Sequence, residues 1–147
     1  MKKFQFSLKK LLDYKQQVLD SEKNELSLLR NKKREAEEEL LETRALLKKS
    51  NKEYIRRMEI GLSAQEMIIQ KRYLKSLTDS IVQLQKIISI YEDQIEKQLL
   101  VVVEATKEVS TMEKLEEKQL SDYNDAVRKS EENFIQEYVT NSKYYST

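Results

Sequence analysis

The sequence predicts an all-α fold, a long two-helix antiparallel coiled-coil hairpin. One reason is the composition: 36% of the 147 residues are charged, with one glycine, no proline and no tryptophan, a profile typical of long helices. A second is that apolar residues recur every seven positions along much of the chain, as in coiled coils. The third is that signals for a helix end and a helix start lie within residues 61–66. The chain is therefore expected to fold back on itself once.

The first arm is predicted to run from about residue 7 to residue 60, with Ser7 as its N-cap. One heptad series is almost wholly apolar: Leu12, Leu19, Leu26, Lys33, Leu40, Leu47 and Tyr54. The other series is more polar: Leu8, Lys15, Glu22, Leu29, Ala36, Thr43 and Ser50. One apolar seam beside a polar one favours a two-stranded coil of modest stability.

The tip is predicted at residues 61–63. Gly61 is the only glycine, and a residue without Cβ enters the left-handed conformation that ends helices at little cost. Ser63 and Glu66 have the spacing of a capping box, in which each side chain accepts the other residue's backbone N–H. A helix should therefore end at Gly61, and a new one should start just after Ser63.

The second arm is predicted from about residue 64 to 138, followed by a frayed tail at 139–147. Both of its seams are largely apolar: Leu74, Ile81, Ile88, Ile95, Val102 and Val109 in one, and Leu77, Leu84, Tyr91, Gln98, Ala105 and Met112 in the other. The next apolar series is Leu120, Val127 and Phe134. The eleven residues from Val109 to Leu120 predict a stutter that locally unwinds the supercoil.

Charge favours antiparallel pairing of the two arms. Residues 1–19 carry a net charge of +4 and residues 104–137 one of −5, and a hairpin brings these segments side by side. Such surface pairs select orientation more than they add stability.

The unequal arms predict an overhang at the end of the second one. Leu8 should lie beside residues near 117–120, so that Leu120, Tyr123, Val127 and Phe134 extend beyond the first arm. An uncovered apolar stripe on a lone helix suggests a binding partner. The alternative is that this end simply frays in solution.

Several function classes are disfavoured by the composition. Histidine and cysteine are absent, and a two-helix layer has no interior in which a carboxylate or lysine could be tuned for catalysis, so we predict no enzyme and no cofactor. The acidic cluster Glu35, Glu37, Glu38, Glu39 and Glu42 fans around a helix, which indicates a solvated face and no metal site. The 27 basic and 26 acidic residues nearly cancel, so neither a nucleic-acid partner nor a membrane-surface role driven by the overall charge is expected. No apolar run suffices for a signal peptide or a span, so no direct membrane insertion is expected.

Two apolar features leave alternatives open. The run at 99–103, Leu-Leu-Val-Val-Val, covers more than one helix face; it is either a contact surface for another protein or a widened core stripe packed against Leu11 and Val18, and the second reading is favoured. Tyr54 and Tyr73 lie on facing arms near the tip. They are equally well explained as core residues and as aromatic anchors for a partner.

Three stretches of the sequence resemble the flagellar FliJ family. They are the opening Phe4-x-Phe6-x-Leu8-x-x-Leu11-Leu12, the tip Gly61-Leu62-Ser63-Ala64 with Tyr73-Leu74-x-x-Leu77, and Glu104-x-x-Lys107-Glu108-x-x-x-Met112-Glu113-Lys114-Leu115-x-x-Lys118 with Tyr123, Glu131 and Gln136-Glu137 beyond it. The resemblance spans essentially the whole chain in the right order. It departs where the family often has Asp-Glu and this chain has Gln136-Glu137, which puts any role of that acid pair in doubt.

The resemblance implies a stalk protein of the flagellar type III export apparatus, similar to the γ subunit of rotary ATP synthases. Its paired terminal ends would insert into the hexameric export ATPase and promote its assembly and activity. Its hairpin half would contact the export-gate membrane protein, and some members handle export chaperones. The implied location is the cytoplasm, at the inner face of the membrane at the flagellar base.

Two groups of candidate binding residues follow from the resemblance. The ATPase-facing group is Phe4, Phe6, Leu8, Leu11, Lys114, Leu115, Lys118 and Tyr123. The gate-facing group is Leu47, Tyr54, Tyr73, Leu77 and Ser80. Two other functions fit the same architecture: the equivalent stalk of a virulence-type secretion injectisome, and a prefoldin-like chaperone or coiled-coil spacer.

Overall fold

The computed structural model describes residues 2–146, and side chains for residues 2–145. It contains helix α1, Lys9–Ile60, of 52 residues and helix α2, Ala64–Ser146, of 83 residues. The two helices pack against each other as a helical hairpin, with no strand among the described residues. The predicted all-α fold class is therefore confirmed. Thr147, the last residue of the expected tail, lies outside the described residues.

The chain reverses at residues 61–63, as the sequence predicts. Gly61 has φ of 117°, and its N–H donates to the carbonyl oxygen of Arg57 at 2.9 Å. The capping box is complete: the Glu66 N–H donates to the Ser63 hydroxyl oxygen at 3.1 Å, and the Ser63 N–H donates to a Glu66 carboxylate oxygen at 3.3 Å. These bonds use backbone donors that the first turn of α2 would otherwise leave unpaired.

Both outer helix ends differ from their expected positions. Helix α1 begins at Lys9 rather than at 7, and the carbonyl oxygen of Leu8 accepts the Leu12 N–H at 2.9 Å, so Ser7 is not the N-cap. Helix α2 continues to Ser146, past the end expected at residue 138. Nothing in 139–146 breaks a helix, because the segment contains neither glycine nor proline, and the expected frayed tail is helical here.

Segments of α1 and α2 form two compact units. Unit 1 consists of Met1–Ser21 and Val103–Thr147, and unit 2 is Glu22–Val102. Each unit therefore pairs part of α1 with part of α2.

The core of unit 2 follows the predicted seams. Its buried apolar residues are Leu26, Leu29, Ala36, Leu77, Leu84 and Ile88. Every one of them belongs to a heptad series predicted from the sequence. In both arms the residues between these positions are mostly exposed, because a two-helix layer buries only one stripe of each helix.

Polar side chains cross between the helices inside unit 2. The Gln98 amide nitrogen donates to the backbone carbonyl oxygen of Glu22 at 3.0 Å and to its carboxylate at 2.5 Å. Lys33 Nζ lies 3.5 Å from the carboxylate of Glu92. Both pairings require the helices to run in opposite directions, and polar groups at seam positions specify register at some cost in stability.

Unit 1 has a core of the same kind, extended by the N-terminal segment. Its buried apolar residues are Phe6, Leu12, Leu19, Ala105, Val109 and Met112. Lys15 Nζ lies 3.0 Å from the Glu108 carboxylate across the helix pair, which agrees with the charge asymmetry that predicted antiparallel pairing.

The predicted stutter after Val109 is wrong. Leu120 is 41% exposed, whereas Glu116 and Gln119, seven residues beyond Val109 and Met112, are half-buried. The heptad frame thus continues through polar residues. Long polar side chains can cover a seam with their aliphatic stems and keep their polar ends in water, so the helix need not unwind to bury Leu120.

The apolar run at 99–103 does not form a widened core stripe. Leu99, Leu100, Val101 and Val103 are all exposed, Leu100 to 67%, and only Val102 is half-buried. The expected core packing is therefore wrong, because a single partner helix covers one face of α2 and a run of five residues extends around more than one.

Candidate interaction surfaces

The two groups of candidate residues lie in different units. All ATPase-facing candidates fall within Met1–Ser21 or Val103–Thr147, and all gate-facing candidates fall within Glu22–Val102. Each group therefore combines residues from both helices or their flanking segments, and each is best considered separately.

In unit 1 the N-terminal segment packs on α2 through aromatic side chains. The ring centroids of Phe4 and Tyr123 lie 5.6 Å apart, and the angle between the ring planes is 48°. The Tyr123 hydroxyl donates a hydrogen bond to the Lys2 carbonyl oxygen. Phe6 is only 7% exposed. Tyr123 was expected to lie in the uncovered overhang, and residues 2–6, which are not helical, cover it instead.

The rest of the ATPase-facing group divides by exposure. Leu8, Leu11, Lys114 and Lys118 are exposed, and Leu115 is half-buried. An exposed side chain is open to a partner, whereas Phe4 and Tyr123 attach the N-terminal segment to α2 and Phe6 is buried in unit 1. The group thus combines exposed side chains with residues that are covered within unit 1.

Beyond Tyr123 the end of α2 has little cover from its own chain. Val127 is half-buried, and every residue described from 128 to 145 is exposed. The exposed apolar and aromatic residues there are Phe134, Ile135, Tyr138, Val139, Tyr144 and Tyr145. Of these, the sequence analysis named only Phe134. We call residues 128–145 the overhang.

The overhang continues the face that α1 and the N-terminal segment cover earlier in unit 1. Tyr123, Val127, Phe134 and Tyr138 follow at steps of four, seven and four, which keep them on one side of a helix. The first two are half-buried, and the last two are about 70% exposed. The same apolar stripe therefore passes from a covered region into an uncovered one.

In unit 2 the gate-facing group combines core and surface residues. Leu77 is buried, Leu47 and Tyr54 are half-buried, and Tyr73 and Ser80 are exposed. The Glu22–Gln98 and Lys33–Glu92 pairs bracket a register in which Leu47 is level with residues 73–78, a range that includes Leu77. Tyr73, 42% exposed, is the aromatic residue of this group that is best placed for a contact. The paired tyrosines thus differ: Tyr54 is closer to a core residue and Tyr73 to a surface one.

Among the described residues, no group of three or more acidic side chains is arranged to hold a metal ion. No described helix combines the length and the apolar character needed to cross a membrane.

Comparison with known proteins identifies the family. The model of the flagellar FliJ protein family matches residues 4–142, which include all of α1, α2 up to residue 142 and both groups of candidate residues. The chain belongs to the FliJ family. No curated protein and no solved structure shows a significant match.

The FliJ match confirms the resemblance seen in the sequence. It makes the chain a component of the flagellar protein-export apparatus. It also favours the flagellar assignment over the injectisome stalk and the prefoldin-like chaperone. The matched region includes the departure at Gln136-Glu137, and both of these residues lie in the exposed overhang.

Proposed function

We propose that this FliJ protein is the non-enzymatic stalk of the export apparatus, binding the hexameric export ATPase through unit 1. The observation that carries the proposal is the apolar stripe that continues from Tyr123 into the uncovered overhang. A narrow helical end with an exposed apolar stripe suits the inner wall of a ring, because the ring can cover it from several sides. Binding there would promote ring assembly and thereby raise nucleotide hydrolysis.

The exposed candidates on the paired part of unit 1 extend this surface. Leu8, Leu11, Lys114 and Lys118 have side chains open to a partner, and Leu120 adds another exposed leucine.

The test compares two matched double variants in a hydrolysis assay with the cognate ATPase. Phe134→Ser with Tyr138→Ser changes the stripe of the overhang, and Ile90→Ser with Leu100→Ser changes exposed apolar residues of unit 2. We expect the first to lose most of the stimulation, about 10-fold or more, since centrally buried aromatic residues dominate interfaces. Equal stimulation by both variants would refute the assignment of the surface.

We further propose that unit 2 contacts the export-gate membrane protein, with Tyr73 and Ser80 as contact residues and Leu47, Tyr54 and Leu77 supporting them. An aromatic residue that is half covered by its own helix pair can bury the rest of its ring against a partner. Tyr73→Ala should weaken capture of the gate's water-soluble domain, while Ile90→Ser should not. Binding of export chaperones by unit 2 can be measured in the same capture assay.

This function implies a cytoplasmic protein, peripherally associated with the membrane at the flagellar base. Fluorescence imaging of the tagged protein in cells with and without the flagellar base would test it, because accumulation at the base should depend on the gate and the ATPase. Unchanged accumulation at these sites in cells that lack both proteins would contradict the proposed coupling role.

A further inference from the structure

The hairpin tip, residues 48–75, has a charge unlike that of the chain as a whole. It contains eight basic residues and three acidic ones, a net charge of +5, although the whole chain is only +1. The basic residues are Lys48, Lys49, Lys52, Arg56, Arg57, Lys71, Arg72 and Lys75. All except the half-buried Arg57 are exposed. We call this segment the basic tip.

The cations of the basic tip are not neutralised by neighbouring carboxylates. Within the described part of the chain, all ion pairs involve residues outside 48–75. The acidic residues of the segment, Glu53, Glu59 and Glu66, are too few to balance it, and Glu66 is engaged in the capping box. The positive charge therefore remains available to a partner.

Large aliphatic side chains are exposed among these cations. On α1 they are Ile55, Met58 and Ile60, and on α2 they are Ile68 and Ile69. Spacings of three and four residues put apolar and basic residues on one side of each helix: Lys48, Lys52 and Ile55 on α1, and Ile68, Arg72 and Lys75 on α2. Exposed aliphatic residues also occur elsewhere on the helix pair, but at the tip they lie beside a local excess of cations.

We propose that the basic tip binds the surface of a bilayer that contains anionic lipids. At such an interface lysine and arginine reach the phosphate headgroups while aliphatic side chains enter the acyl boundary, and the two contributions add. An acidic protein surface would match the cations but would need a shaped apolar pocket for five aliphatic side chains spread over both helices. A lipid interface has no fixed shape and accepts them all.

This inference rests on residues other than those of the proposed ATPase and gate contacts. Tyr54 and Tyr73 of the gate-facing group lie within the same segment, but the cations and aliphatic residues that would meet the lipid belong to neither candidate group. The helices lie on the membrane surface at the tip and do not cross it, consistent with the absence of a described helix that could span a bilayer. Local clustering of charge, rather than the net charge of the chain, provides the attraction.

The experiment is flotation of the full-length protein with phosphatidylcholine vesicles that contain either no or ~30% phosphatidylglycerol. The tip variant replaces Lys48, Lys52, Lys71 and Lys75 by Gln, and the matched control replaces Lys23, Lys32, Lys86 and Lys97 by Gln. All eight lysines are exposed, and each variant loses four charges. We expect the wild type to bind only the anionic vesicles, the tip variant to bind at least ~10-fold more weakly, and the control to change less than ~2-fold.

A second variant separates lipid from an acidic protein as the partner. Ile55→Gln with Ile68→Gln should weaken binding to anionic vesicles at high salt, where screening leaves mainly the apolar contribution. Polyglutamate serves as the polypeptide probe and should bind the wild type more weakly than the vesicles do. The proposal is overturned if the wild type does not float, if the control variant loses as much as the tip variant, or if polyglutamate binds as tightly and the isoleucines do not matter.

Discussion

The hydroxyl of Tyr123 donates a hydrogen bond to the backbone carbonyl oxygen of Lys2. The two residues are 121 positions apart in the sequence, so this bond and the neighbouring Phe4–Tyr123 ring contact fasten the non-helical N-terminus to α2. The N-terminal segment thereby becomes part of unit 1 and covers a portion of the apolar stripe that leads into the overhang.

Tyr123→Phe should loosen this attachment without unfolding the helices. The ring contact with Phe4 remains, whereas the hydrogen bond, worth about 1 kcal/mol, is lost. We expect lower backbone NMR order parameters in residues 2–8 and unchanged order parameters near Leu26. Equal order parameters in both proteins at residues 2–8 would show that the bond does not hold the segment.

Replacing Phe4, Phe6 and Leu8 by Ala should abolish stimulation of the ATPase. Since Phe6 is buried and Phe4 packs on Tyr123, part of the loss should come from release of the N-terminal segment. Leu11→Gln, at an exposed position, separates the effects, with Leu28→Gln as its exposed control in unit 2. If Leu11→Gln loses stimulation while Leu28→Gln keeps it, and thermal unfolding is unchanged in both, Leu11 contacts the ATPase. Normal stimulation by Leu11→Gln would show that Leu11 is not part of the binding site.

Gly61→Ala should disfavour the closed hairpin. A φ of 117° strains any residue with a Cβ even though no atom lies within 4 Å of the added group, so we expect a cost of about 1–2 kcal/mol. An uninterrupted helix through residue 61 would relieve it and pair two chains as a swapped dimer. Light scattering over a range of concentrations measures the change, and an unchanged monomer mass would count against it.

Ser63→Ala should destabilise the first turn of α2. It removes the acceptor of the Glu66 N–H and leaves that donor to water, which costs about 1 kcal/mol for a typical N-cap. Denaturation by urea measures the loss. Ser76→Ala is the control, because the Ser76 hydroxyl only donates to the carbonyl oxygen of Tyr73 within the same helix. A similar change in both variants would argue against a specific role of the cap.

Leu19→Ala and Leu28→Ala should differ strongly in stability. Leu19 is 5% exposed and Leu28 is 47% exposed, so the first substitution should cost about 2–5 kcal/mol and the second less than about 1 kcal/mol. Chemical denaturation provides both values. Comparable losses would mean that the heptad seam does not carry the helix pairing.

The features that follow from local chemistry were predictable from the sequence. Gly61 and the Ser63–Glu66 box mark the reversal because both act within one turn of helix, and Leu12, Leu19 and Leu26 form a seam because a repeat of seven keeps them on one side. The coverage of Tyr123 was not predictable, since it depends on a non-helical segment whose conformation has no periodic signature.

Other features escaped the sequence analysis because apolar character alone does not decide burial. Leu120 and Leu100 are exposed because the single partner helix covers only one stripe of α2. Glu116 and Gln119 are half-buried because the continuing heptad repeat puts them on that stripe. The basic tip was visible as a local excess of lysine and arginine. It was overlooked because the totals for the whole chain nearly cancel.

The exposure of residues 128–145 has a thermodynamic consequence for any complex they form. An unsupported helix of this length is marginal in water, because propensity alone hardly offsets the backbone entropy that folding removes. A partner that binds this segment must therefore also offset the free-energy cost of ordering the helix. The complex would then form over a large surface and still dissociate readily.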